Sequence, residues 1–309
     1  MTESSTKKSL WPLLLLLIVQ LFNGIMLMPS RNFISIYLNE VIAYPVRQVA
    51  QVMAWGQIVG MLASLVGGSL SDRWGHKWML VLGISGVALS SLLYAFRVPW
   101  LVTVLWGLGS AGLGFSTLSS QGYLTLAANA SALGLFSALY NWGYTMGGAV
   151  GNPLAAVILG QDNYYALGLA LSGFGLLTVL IASSLPHLRP QTRSQDTTPS
   201  PSGYGALLRR PRIFVLGMLR FLPTCYYGVT TLLPLLIKQQ GGSNTAVAWY
   251  AAGSSIFASL TQLLAGRAAD WRGVRLPTLV AFGVMLTAII GTIITAQSVW
   301  GLYIFGALG

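Results

Sequence analysis

Acidic side chains are scarce in this chain: six in 309 residues, against seventeen lysines and arginines. Charge of either sign makes up only 7% of positions. The single cysteine, Cys225, lies in an apolar run, which excludes an intrachain disulfide and a dithiol redox motif. The two histidines, His76 and His187, fall at the ends of apolar runs, so no metal-ligand cluster or buried proton relay can be assembled from them. No Walker loop and no Ser/His/Asp set occurs, which leaves an ATP-driven pump or an intramembrane hydrolase without support. Metal sites, cofactors and enzymatic activity are therefore not expected.

What the chain has in excess is hydrocarbon. It is 54% hydrophobic, and apolar stretches of about 20 residues recur along it, each long enough to cross a ~30 Å hydrocarbon layer as a helix. Strand-like alternation is absent, so a β-barrel is excluded. The class is an all-α polytopic membrane protein with the lipid bilayer as its first partner. Punctuation by charge, Gly, Pro and Asn predicts spans at 11–38, 46–70, 77–96, 99–126, 131–158, 164–186, 212–237, 245–268, 276–296 and from 298 onward. The first run follows Lys7 and Lys8 as a signal peptide would, but continues past Gly24 without a small-residue cleavage site, and reads as a retained span.

The cations are placed unevenly. With the N-terminus inside, Lys7, Lys8, Arg73, Lys77, Arg189, Arg193, Arg209, Arg210, Arg212, Arg267, Arg272 and Arg275 all fall on the inner side, whereas only Arg47, Arg97 and Lys238 fall outside. Positive-inside bias sets this orientation, and it accounts for the net charge of +11 without a nucleic-acid surface. The expected location is a plasma membrane, the inner membrane of a bacterium. The Pro/Ser/Thr/Arg-rich stretch from Pro186 to Arg212 reads as a flexible inner linker. It divides the chain into an N-terminal tail (1–10), a six-helix bundle (11–186), a linker (187–211) and a partial second bundle (212–309). The last run, Ser298 to Gly309, would make about 18 Å of helix, too short to span, and reads as a bundle cut short.

One polar stretch stands out against this background and occurs twice. Gly68, Asp72, Arg73, Gly75 and Lys77 form a G-x-x-x-D-R-x-G-x-K pattern after the second span. Gly266, Asp270, Gly273 and Arg275 repeat it after the eighth, 198 residues on. The same offset lays Tyr37-Leu38 on Leu235-Leu236, so the linker joins two related halves, an internal duplication of the kind found in secondary transporters. In spacing, membrane side and repetition the pattern resembles the signature loop of the major facilitator superfamily. That resemblance implies a twelve-helix fold of two pseudo-symmetric six-helix bundles, with the last two to three helices missing from this chain. It also implies alternating access, with both aspartate loops acting as a conformational latch. By that logic Asp270 faces the start of span 5, near Asn129 to Ala132.

Further marks are mixed. Gly147-Gly148-Ala149-Val150-Gly151-Asn152-Pro153 resembles the glycine-proline motif of drug and metabolite antiporters, with Asn152 inserted, and reads first as a packing face and second as a pointer to efflux. Thr103 stands where the family often has an arginine associated with proton coupling, which argues against protons as the coupling ion.

Polar residues in lipid must face protein or water. At helical spacing they form stripes: Gln20, Asn23 and Arg31 in span 1; Ser110, Thr117 and Gln121 in span 4; Asn141, Tyr144, Thr145 and Asn152 in span 5; Arg220, Thr224, Tyr227 and Thr231 in span 7; Tyr250, Ser254 and Thr261 in span 8. From these, Gln20, Asn23, Arg31, Gln121, Asn141, Tyr144, Arg220, Thr224, Tyr227 and Tyr250 are the candidate substrate-binding residues. An arginine at bilayer depth costs about 2.5–3.5 kcal/mol on insertion scales and needs a partner or water. Because all six acids fall in tails, loops or helix ends, an anionic solute is one candidate partner for Arg31 and Arg220. Snorkelling towards the surface is the competing reading for Arg31. The expected function is secondary transport of a small organic solute by a monomer, with efflux slightly favoured. An organophosphate or carboxylate exchanger, and a transporter-like sensor that binds without turnover, remain open.

Overall fold

The structure, a computed structural model, describes residues 10–129, 133–160, 162–188 and 211–308; the side chains of Arg212, Leu216, Arg220, Leu222 and Asp270 lie outside the described set. The expected N-terminal tail, and most of the expected linker, lie outside it too.

Among the described residues eleven α-helices follow one another: α1 (Trp11–Glu40), α2 (Val46–Trp74), α3 (His76–Ser90), α4 (Pro99–Ala127), α5 (Leu133–Leu159), α6 (Tyr164–Ser183), α7 (Pro211–Thr230), α8 (Leu233–Gln239), α9 (Asn244–Arg272), α10 (Arg275–Ile294) and α11 (Val299–Leu308). Seven helical runs among the described residues are long and apolar enough to cross a bilayer. α5 and α9 are not among the seven, and these two more polar helices pack against one another. That is the expected behaviour in lipid, where polar faces turn towards protein. Large apolar side chains such as Leu264, Ile293 and Trp300 remain exposed, as a hydrocarbon-facing surface requires.

Two spans differ from the uninterrupted helices expected. The third ends its α-helix at Ser90 and closes with a 3₁₀ turn, Ser91–Ala95. Ser90 and Ser91 both turn their hydroxyls back onto the Val87 carbonyl, a local competition with the helix ladder that loosens it. The seventh breaks between Thr230 and Leu233, where Pro234 starts α8 and has no N–H to continue the ladder of α7. The sixth ends at Ser183, short of the expected residue 186.

The duplication is visible in the backbone. Shifting both ends of α2 by 198 residues gives both ends of α9, and each helix is 29 residues long. Each ends on a glycine at positive φ: Gly75 at φ 89° and ψ 142°, Gly273 at φ 77° and ψ 166°. A side chain there would be strained, so glycine is required to turn so abruptly into the next helix.

Packing among α1–α6 is tightest between α1 and α5 and between α3 and α4. α1 and α5 approach through Gly24 and Gly147: a Cβ on Gly147 would sit 2.2 Å from the Leu21 carbonyl oxygen, and one on Gly24 would sit 2.1 Å from that of Tyr144. Two apolar cores result. One, holding Leu13, Leu16, Val19, Leu80, Ile84 and Tyr123, comes from α1 and α3–α6 and lies at the end where α1 begins. The other, at the end where α1 finishes, unites Phe33, Tyr37, Leu38, Val49 and Tyr164 with Leu233, Leu235, Ile237, Val247 and Ala248 of the second repeat. The repeats therefore share a core at the Glu40 end.

Candidate functional site

Pro29 in α1 leaves the carbonyl of Ile25 without its helical donor, and two residues further on α1 presents Arg31. Arg31 is 9% exposed, and its Nε has no hydrogen-bond partner. The guanidinium lies 4.8 Å from the ring centroid of Tyr227, on α7 of the other repeat. Tyr144 of α5 is near enough to interact electrostatically with both Arg31 and Tyr227. An arginine and a tyrosine from the two repeats thus meet where the repeats face each other. A guanidinium over an aromatic face is attracted by the ring quadrupole, most strongly when little water competes. Its planar fork still leaves donors for a carboxylate or phosphate.

The other described candidates have different surroundings. Gln20 is buried, and its Nε2 donates to the Tyr140 hydroxyl at 2.6 Å. Tyr140 in turn hydrogen-bonds Ser120, so Gln20 belongs to a polar triad that ties α1, α4 and α5 together inside the first repeat. Asn23 is buried with its Oδ1 unpartnered. Gln121 and Asn141 are exposed, and Asn141 donates to the Ser137 carbonyl of its own helix. Thr224 is exposed. Tyr250 stacks on Tyr303 of α11, with ring centroids 6.0 Å apart. The side chain of Arg220 lies outside the described residues. Helical spacing identifies a common face on one helix, but not which neighbour that face meets. Among the described candidates, Arg31 and Tyr227 are brought into contact, with Tyr144 in electrostatic range of both.

Other polar contacts had no place among the expected site residues. Ser259 of α9 donates to the Thr145 hydroxyl of α5 at 2.5 Å, crossing between the repeats. Asn152, the residue inserted before Pro153, is fully buried, accepts from Asn32 of α1 and donates to the Gly148 carbonyl. The glycine-rich run of α5 is thus packed on α1, with Gly148 also set against Ser255 of α9.

At the Glu40 end, Lys238 lies 3.6 Å from Glu40 and donates to Asn244, which donates to Asp162. The sequence held a signal for the first pair: Glu40 and Lys238 are themselves 198 residues apart.

At the Asp72 end, Asp72 and Arg73 are exposed, and Lys77 lies over the Trp78 ring at 5.2 Å. Gly68 has open space around it, and Gly273 and Arg275 are exposed. A Cβ on Gly266 would sit 3.9 Å from that of Ala138, near the start of α5. Asp270 follows Gly266 by one helical turn, but its side chain lies outside the described set, as do residues 130–132, so the expected meeting of Asp270 with Asn129 to Ala132 falls outside it too. Among the described residues no group of three or more His, Cys, Asp or Glu side chains is placed to hold a metal ion.

A multi-pass helical membrane protein with a duplicated bundle and a cation at the seam between repeats has the architecture of a secondary transporter. The sequence profile of the Major Facilitator Superfamily matches residues 9–309. The chain belongs to that superfamily. Uncharacterized MFS-type transporters from two strains of Mycobacterium tuberculosis are 31% identical over 137 residues, covering 43% of this chain and 32% of each relative. The match thus spans about a third of those curated relatives. Among solved structures, the crystal structure of a D-xylose-proton symporter superposes with a TM-score of 0.68 at 15% identity, over 96% of this chain and 79% of that one. At that identity the likeness is one of fold.

Proposed function

We propose that the protein moves a small organic solute across the plasma membrane by alternating access, its two repeats rocking around a site built on Arg31, Tyr144 and Tyr227. The observation that carries this reading is the Arg31–Tyr227 contact: a buried cation of one repeat rests on an aromatic ring of the other. A solute that inserts between them alters the seam on which the rocking depends. The matched helices α2 and α9, with matched glycine turns, supply the symmetric frame. The register of Gly266 against Ala138 supports a latch in which Asp270 meets the start of α5, where free backbone N–H groups favour a carboxylate by about 0.3–1 kcal/mol. The Asp72 end is cytoplasmic in this reading, because the order of spans along the sequence assigns twelve of the cations to that side and three to the other.

Within this reading the solute is an anion. Glu40 and Asp162 are engaged with Lys238 and Asn244 at one end, and Asp72 lies at the other, so no described acid reaches Arg31. A carboxylate or phosphate on the solute satisfies the guanidinium in their place. Export is the preferred direction, on the likeness of the α5 glycine-proline run to the antiporter motif. The test is counterflow of candidate carboxylates, phosphates and neutral solutes in proteoliposomes, comparing wild type with Arg31→Gln. Retained anion flux with unchanged KM in the variant overturns the Arg31 site. Flux that ignores an imposed pH gradient excludes proton coupling.

A further inference from the structure

At the end of the bundle opposite the aspartate loops, a cleft of about 520 Å³ opens between the end of α1, the loop before α4 and the turn before α6. That volume suits a small organic ligand. Three tyrosines, Tyr37, Tyr94 and Tyr164, and three charged residues, Glu40, Arg97 and Asp162, line it. We propose that this cleft is a ligand-binding site in its own right, and that it takes a small zwitterion of the amino-acid class. It is separate from the Arg31 site, because Glu40 lies roughly 14 Å beyond Arg31 along α1. The inference does not rest on the transport reading.

The aromatic wall carries one polar group that the fold leaves unused. The ring centroid of Tyr37 is 5.1 Å from those of Tyr94 and Tyr164, so the three rings pack as a block. Two of their hydroxyls are spent on the backbone: Tyr94 donates to the Ser30 carbonyl at 2.5 Å and Tyr37 to the Phe96 carbonyl at 2.5 Å. The third is not. Tyr164 is 7% exposed, and its hydroxyl is buried without a hydrogen-bond partner. Asn244 stands near that hydroxyl but gives its amide to Asp162 at 2.9 Å. A buried polar group is costly to leave unpaired, and for a residue that lines a cavity a ligand supplies the missing partner.

Charge decides the class of ligand. Both signs line the cleft, with Lys238 as the fourth charged residue. Lys238 is taken by Glu40, at 3.6 Å, and by Asn244. Arg97 is exposed, acts electrostatically on Tyr37, and has no carboxylate within ion-pair reach among the described residues. Its planar fork suits a carboxylate. The negative pole lies beside the neighbouring ring, since Glu40 and Asp162 both act electrostatically on Tyr164. Asn244 occupies Oδ1 of Asp162, and no other described residue takes Oδ2. Asp162 is held at φ 51°, a backbone that is costly for a residue with a Cβ, and such costs gather where a side chain has to be aimed. An ammonium set against these carboxylates and an aromatic face is favoured on both counts. A pure anion would meet Glu40 and Asp162, and a pure cation would meet Arg97 and Lys238. A ligand that carries both charges a few bonds apart avoids either repulsion.

The experiment is isothermal titration calorimetry of the full chain in lipid nanodiscs with three matched probes: phenylalanine, 3-phenylpropionate, which lacks the ammonium, and phenethylamine, which lacks the carboxylate. The probes are compared in Arg31→Gln, where the central cation is gone, and phenylalanine is titrated into wild type as well, with the same affinity expected. Phenylalanine should bind at least about ten-fold more tightly than either analogue, the factor that one hydrogen bond to a charged group represents. Adding Arg97→Gln should weaken phenylalanine and 3-phenylpropionate by about ten-fold and leave phenethylamine unchanged. Adding Asp162→Asn, which keeps a residue tolerant of positive φ, should weaken phenylalanine and phenethylamine and spare 3-phenylpropionate. Tyr164→Phe should weaken phenylalanine without lowering the Tm, because its hydroxyl has no partner in the fold to lose. Equal affinity for the three probes, absence of phenylalanine binding, or binding that responds to Arg31→Gln and to neither Arg97→Gln nor Asp162→Asn overturns the site.

Discussion

Gly75 and Gly273 turn the chain at the same point of the two repeats, each at positive φ and each directly after a 29-residue helix. Their surroundings differ. A Cβ at Gly75 would stand 3.0 Å from Cε1 of His187, whereas at Gly273 nothing lies within 4 Å. The duplicated turn is therefore locked from outside in one copy and free in the other.

Gly75→Ala and Gly273→Ala should each destabilise the fold, by about 1–3 kcal/mol from the positive-φ, extended backbone alone. Gly75→Ala should cost more, because His187 has to move. Thermal unfolding of the detergent-solubilised protein reads both, and equal shifts in the two variants would contradict the contact at Gly75.

Close approach of α1 and α5 makes a second prediction. Gly147→Ala drives a methyl group into the Leu21 carbonyl and should lower stability by about 1–3 kcal/mol or more. Gly68→Ala, in a helix interior with open space around it, should be neutral or stabilising by up to about 1 kcal/mol. The same unfolding measurement separates them.

The Arg31–Tyr227 contact predicts a specific order of variants. Tyr227→Phe keeps the aromatic face and should transport an anionic solute with nearly wild-type KM. Tyr227→Leu removes it and should raise KM several-fold, in line with about 0.5–2 kcal/mol for a cation over a ring. Arg31→Gln should raise KM at least about ten-fold, the equivalent of about 1.4 kcal/mol. Counterflow assays check all three.

Gln20 should behave as a structural residue. Gln20→Leu leaves buried hydroxyls short of a partner and should cost about 1–3 kcal/mol of stability. Combining it with Tyr140→Phe should cost less than the sum of the two, since both ends of one hydrogen bond are then gone. The solute KM of protein that folds should be unchanged. A raised KM at intact stability would return Gln20 to the binding site.

These contrasts mark how far the sequence alone could be read. Helix positions were legible because apolar runs of membrane length leave little choice of conformation. The repeat was legible because Gly75 and Gly273 perform the same turn. The breaks at Ser90 and before Pro234 were not, since both depend on which local hydrogen bond wins within an apolar run. Gln20, Gln121 and Asn141 have the right period for a shared face, yet only packing shows that Tyr140 captures one and that the others are exposed. Arg31 stood out because its cost at depth demands explanation in any fold. The Glu40–Lys238 pair was present in the numbering, but two charges at the ends of separate helices acquire meaning only when the packing shows that those ends meet.

The central claim is that the two repeats rock as bodies about a seam at Arg31 and Tyr227. Spin labels on the exposed positions Gln51 and Gln240 at one end, and Ser69 and Trp271 at the other, report it directly through electron–electron distances in nanodiscs. The account predicts that any solute or variant that lengthens the Gln51–Gln240 distance shortens the Ser69–Trp271 distance. Two distances that lengthen together, or that stay fixed while solute is being transported, would contradict it.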